Sequence, residues 1–162
     1  MPRCPRVGIS WKSTGIDQKR AKTKNAPLKY WTPILSREDC YFINLQYGDI
    51  REEIEEYISA SGYPVYIDEE VDSLSNLDDF AAQISALDLI VSTSNATVHM
   101  SGGLGKKVWV LLSSRPDWRW MLEREDTPWY QTMRLFRQEK AGDWERVFQR
   151  ISSALEQDIK NG

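Results

Sequence analysis

The sequence predicts an α/β fold: a doubly wound, Rossmann-like parallel sheet in three layers, with about six strands in the order 3-2-1-4-5-6. Three observations predict it. Short apolar runs of strand length alternate with stretches at helical spacing along all 162 residues. Two of those runs, around Leu89-Ile90-Val91 and Val108 to Leu112, are apolar without a break, as parallel strands covered on both faces must be. Strict alternation then implies right-handed crossovers between parallel neighbours. The length suits one domain, residues 1–162, able to bury a full core without staples.

Arg6 to Trp11 reads as the first strand, with Gly8 allowing another backbone to approach closely. Residues 13–27 are polar, basic and aperiodic, and read as a loop. Leu28 to Leu35 suits a short helix that Pro33 confines to a first turn or starts irregularly. Tyr41 to Gln46 is the second strand, and Ile50 to Ala60 a helix carrying Ile54 and Ile58 on one face and four Glu on the other. Val65-Tyr66-Ile67 is a short third strand. Ser75-Asn76 caps a helix over 77–86. The fourth strand ends in Ser92-Thr93-Ser94-Asn95, a helix starts near Ala96, and the fifth strand follows. One helical turn lies near Trp118, Met133 to Arg137 is the sixth strand, and a last helix packs through Trp144, Val147, Phe148, Ile151 and Leu155.

Composition excludes several classes of function. No apolar run approaches the roughly 20 residues that cross a bilayer. The opening Met-Pro-Arg-Cys-Pro-Arg lacks the apolar core of a signal peptide. Two cysteines make no disulfide framework and fit reduced thiols in a cytoplasmic protein. His99 is the only histidine, and Cys4, Cys40 and His99 lack metal-ligand spacing, so no metal is expected. Charge is uneven: residues 1–30 carry eight Lys/Arg against one Asp, and residues 31–90 carry two Arg against fourteen Asp/Glu. A basic segment can meet phosphate or nucleic acid. The acidic middle argues against a broad nucleic-acid footprint.

The chemistry concentrates in Ser94-Asn95-Ala96-Thr97-Val98-His99. A helix opening behind Asn95 points free N–H groups and its positive dipole end into the preceding turn, a ready phosphate site. The expected holders are the N–H groups of Ala96, Thr97 and Val98, helped by the Asn95 and Thr97 side chains, with His99 orienting the turn or touching a phosphate. In the expected order this turn lies at the switch point of the sheet, beside Ser10-Trp11-Lys12. Lys12 ends the first strand and reads either as a surface lysine or as a charge on a leaving group. Gln46 ends the second strand, where a base or ribose could meet it. Gly102-Gly103-Leu104-Gly105 is neither a Walker loop nor a dinucleotide fingerprint, and reads as close helix–sheet packing. Asp49, Asp78 and Asp79 read as turn and helix-start residues.

Val7 to Trp11, Trp31 to Leu35, Phe42 to Asp49, Asp78 to Ala81, Ser94 to Leu112, Pro116 to Trp120, Pro128 to Tyr130 and Leu135 to Gln138 occur in an order that resembles the C-terminal half of bacterial tetratricopeptide-repeat glycosyltransferases. These are relatives of the heptosyltransferases and, more distantly, of O-GlcNAc transferases. The resemblance implies the donor-binding half of an inverting GT-B enzyme. A nucleotide diphosphate sugar would be held at Asn95 to His99, with Ser10, Lys12 and Gln46 around it and no metal. Many heptosyltransferase-like relatives carry Asp-Thr where Ser94-Asn95 stand here. The acceptor half, which often supplies the general base, lies outside this sequence, so a separate acceptor-binding domain is expected as partner. The alternative is a non-catalytic nucleotide-binding or assembly module, a homodimer through the face that would meet the missing half, with Trp118, Trp120 and Trp129 in its interface.

Overall fold

A computed structural model describes residues 4–14 and 18–161. Five parallel strands form one sheet in the order β2-β1-β3-β4-β5: β1 (Arg6–Ser10), β2 (Tyr41–Asn44), β3 (Leu89–Thr93), β4 (Val108–Leu112) and β5 (Met133–Arg137). The expected third strand is reduced to a single bridge, Tyr66 to Ile43, held by Asn44 N–H to Tyr66 O and Tyr66 N–H to Phe42 O, both 2.8 Å. It lies where expected, outside β2. Pro64 precedes it and a turn follows at Glu69-Glu70, which leaves no room to propagate the ladder. The sheet therefore has five strands and a bridge, not six strands.

Helices cover both faces, giving three layers. On one side α2 (Thr32–Leu35), α3 (Arg51–Ser61) and α6 (Trp144–Asn161) pack on Val7, Ile9, Leu89, Val91, Trp109, Leu111 and Phe136. On the other, α4 (Leu77–Ser85) and α5 (Ala96–Gly103) pack on Ile90, Val108, Val110 and Leu112. Both faces of β3 and β4 are buried along their whole length, which is why their sequences do not alternate. Pro33 sits in the first turn of α2, after a 3₁₀ turn at Leu28–Tyr30. Asn76 caps α4 by accepting from Asp78 and Asp79 N–H.

Three further expectations are corrected. The basic segment 13–27 is not all loop: α1 (Gln18–Lys24) lies in it, and residues 15–17 of it lie outside the described residues. Among its described side chains α1 buries Ala21 alone, too little to make a periodic signal. Gly8 makes room for side chains rather than for backbone, since a Cβ there would meet Leu45 Cδ1 at 2.4 Å and Leu87 Cδ1 at 2.6 Å. Trp120 is buried, while Trp118 and Trp129 are exposed, because Trp120 turns inward to hydrogen-bond Ser94. Gly102 does permit close packing, with Met133 Cε and the Tyr130 ring in the way of any Cβ. No helix among the described residues is long and apolar enough to cross a membrane.

Candidate functional site

The winding of the chain reverses between β1 and β3, which lie side by side with Ser10 opposite Ser92. Crevices outside the carboxyl ends of such strands are where open α/β sheets hold ligands. Here the crevice is closed off at its base by two side-chain amides. Gln46 Oε1 accepts from the Ser10 hydroxyl (3.0 Å) and from the N–H groups of Trp11 (2.9 Å) and Lys12 (2.8 Å), and its Nε2 donates to Tyr47 O. Asn95 Nδ2 donates to Ser10 Oγ (2.7 Å) and Lys12 O (3.2 Å), while its Oδ1 accepts from Ser92 Oγ and Thr97 N–H. Ser10, Lys12, Gln46, Asn95 and Thr97 thus form one buried network tying β1, β2, β3 and α5 together.

This network determines which groups remain to meet a ligand. Both polar atoms of the Asn95 amide have two partners each, so its side chain is spent on position and capping. The N–H groups of Ala96 and Val98 have no acceptor among the described residues, and Ala96 is exposed at the mouth of the turn. Val98 buries its side chain in the α4–α5 core. The hydroxyls of Thr93 and Thr97 are buried without a hydrogen-bond partner, at the end of β3 and in the first turn of α5. Orphaned buried hydroxyls are uncommon and cluster here.

Lys12 reaches across to α3, where its Nζ lies 2.5 Å from Glu53 Oε2 and the Trp11 indole donates to Glu53 Oε1 at 2.8 Å. Glu53 is the residue that sequence reasoning missed. It stands among the four glutamates opposite Ile54 and Ile58, and only the docking of α3 against the end of β1 singles it out. His99 points away from the network. Its ring stacks on Trp120 at 5.5 Å and 17°, and Nδ1 lies 3.3 Å from the Tyr130 hydroxyl. Burial, and then the Arg119 cation, hold its pKa below the ordinary histidine value despite an opposing pull from Asp117. Trp120 in turn donates to Ser94 Oγ at 2.8 Å, so His99 and Trp120 back the turn from behind. A cavity of about 550 Å³ opens beside Gln46, bordered by Tyr47, Asp49, Arg51 and Leu74. No group of metal-ligating side chains occurs among the described residues.

The fold is one found in heptosyltransferases. The structure of an E. coli ADP-heptose LPS heptosyltransferase II superposes over 98% of this chain and 48% of that one, with a TM-score of 0.61 at 16% identity. A family 9 glycosyltransferase from Veillonella parvula superposes over the same 98%, and 47% of its own chain, with a TM-score of 0.70 at 11% identity. E. coli heptosyltransferase WaaC, solved with ADP-2-deoxy-2-fluoro heptose, gives 0.61 at 12% identity over 98% of this chain and 44% of its own. In sequence, Protein FlbA of Caulobacter vibrioides is 36% identical over 151 residues, 93% of this chain. The chain spans about a quarter of that relative's length, 25%, and less than half of each solved enzyme. No family model matches the sequence.

Proposed function

We propose that this chain is the donor-binding domain of an inverting glycosyltransferase and that it holds the diphosphate of a nucleotide sugar at the N-terminus of α5. The observation that carries the reading is the pair of N–H groups, Ala96 and Val98, unpartnered among the described residues at a braced helix start on the switch point. The likeness to heptosyltransferases, one solved with ADP and another structure of it with an ADP-sugar analogue, supports a nucleoside diphosphate as the ligand class. The nucleoside would extend into the cavity beside Gln46. Lys12 would exchange its Glu53 partner for the departing phosphate, and the helix dipole would add to that stabilisation without a metal. The acceptor and its general base would come from a separate domain. Asn95 and Gln46 act here as positioning residues.

Ala96→Pro tests this directly. Ala96 is the first helical residue, where proline costs a helix little, and Asn95 before it is already extended (φ −141°, ψ −174°). The substitution removes one N–H and little else. Calorimetry with ADP, UDP, GDP, CMP and their sugar conjugates should find a ligand whose affinity falls about tenfold or more in Ala96→Pro and in Lys12→Ala, with Tm unchanged and binding insensitive to EDTA. Equal affinity in both variants would refute the assignment.

A second reading rests on the surface. Trp118, Trp129 and Leu122 are 76%, 54% and 67% exposed, and the two indoles meet edge to face at 6.4 Å. Apolar area of this kind marks an interface, as a homodimer or an assembly module would need.

A further inference from the structure

The carboxyl ends of β4 and β5 frame a second cavity, two strands away from the switch point, of about 820 Å³. Lys22 of α1, Ser113 and Arg115 after β4, and Gln138 and Gly142 after β5 line it. Gln138 is held rigidly. Its backbone N–H donates to Leu112 O at 2.9 Å, and its Oε1 accepts from Gly142 N–H at 3.2 Å. The second bond settles which way the amide faces. Its Nε2 is then left buried with no acceptor, on a residue only 3% exposed. Leaving such a donor unmade is costly, and an acceptor seated in the cavity relieves the cost.

Charge in the cavity has the same polarity. Lys22 and Arg115 are exposed on its rim and make no ion pair among the described residues. Glu139, the one acidic side chain in its wall, is already engaged by Arg146 at 3.5 Å and Arg150 at 3.9 Å. The 18-residue helix α6 begins at Trp144, in the same wall, behind Asp143, whose Oδ1 already accepts from Arg146 N–H at 3.3 Å. A neutral ligand would use the Gln138 donor alone. An oxyanion uses the donor and the two rim cations, unpaired among the described residues, together.

We propose that this cavity is a ligand site separate from the α5 turn, selective for a compact oxyanion, a carboxylate or a phosphate borne by a small molecule. Gln138 Nε2–H is its fixed donor, and Lys22 and Arg115 carry its charge.

The test is a titration of the ¹⁵N-labelled chain with inorganic phosphate and, separately, with acetate, each against matched sodium chloride. The Gln138 side-chain amide and the Gly142 N–H report on this cavity, and the Ala96 and Val98 N–H groups report on the α5 turn. Saturable shifts at Gln138 and Gly142 with one oxyanion but not with chloride are expected, and the oxyanion that saturates identifies the group. In Lys22→Ala/Arg115→Ala, both substitutions being at exposed positions, the same shifts should require about tenfold more ligand at an unchanged Tm. Absence of saturable shifts at Gln138 with either ion overturns the proposal, and so does equal affinity in the double variant. Shifts confined to Ala96 and Val98 overturn it too, while leaving the α5 reading intact.

Discussion

Asn95 joins three elements of this molecule through one side chain. It caps α5, ties β1 to β3 through Ser10 and Ser92 and fixes the main chain at Lys12, using four hydrogen bonds while itself only 7% exposed. Asn95→Ala would remove the cap and strand the Thr97 N–H and Lys12 carbonyl. A loss of at least about 2 kcal/mol is expected, seen as a fall in Tm of roughly 4–8 °C; a fall within error would show that water replaces the amide at no cost. His99 makes a different prediction. Its folded pKa lies below the unfolded value of about 6.5, so the unfolded chain takes up the proton first as pH falls. The stability it contributes is full above that value and declines as pH drops below it. The Tm advantage of wild type over His99→Gln should therefore shrink between about pH 7.5 and pH 5.5. A gap independent of pH would mean that the imidazole is not held neutral. That a histidine sits near a helix start could be read from the sequence; that Trp120 and Tyr130 clamp it could not, because they lie 21 and 31 residues away along the chain.

Elements were legible where local periodicity and capping agree. β4, α4 and the start of α5 lie within a residue of their expected bounds, since a continuous apolar run and an Asn cap are both local signals. The edge strand at Tyr66 was expected but shrinks to a bridge because its ladder is cut short, and helix α1 escaped because, among its described side chains, it buries only Ala21. Gly8 shows how an element depends on its neighbours. In Gly8→Ala the new methyl would press on Leu45 and Leu87, which are 1% and 4% exposed and have no free space to enter. Chemical denaturation should report a loss of about 1–3 kcal/mol with an unchanged m-value. An undiminished midpoint would mean that both leucines can rotate away.

At the scale of the molecule, the resemblance seen in the residues and the likeness of the folds agree on an α/β fold of the kind found in the solved heptosyltransferases, of whose chains this one spans less than half. Trp118, Leu122 and Trp129 are exposed on it, the two indoles in contact. If the patch pairs two copies, light scattering should give twice 18.8 kDa, and Trp118→Ser/Trp129→Ser should return the monomer mass. A monomer at every concentration would rule out the homodimer.

The sequence by itself determined the alternation of strand and helix, the strand order, the cap at Asn95 and the place of the α5 turn at the switch point. Those features rest on period, burial and backbone propensity, which act over a few residues. Only the tertiary structure decided that Gln46 and Asn95 turn inward on each other's neighbours, that Glu53 pairs with Lys12, and that Trp120 packs under His99 while Trp118 faces out. Each of those is a choice among chemically equivalent partners far apart in the chain. Hydrogen-bond satisfaction in the folded interior makes that choice, and no local pattern encodes it.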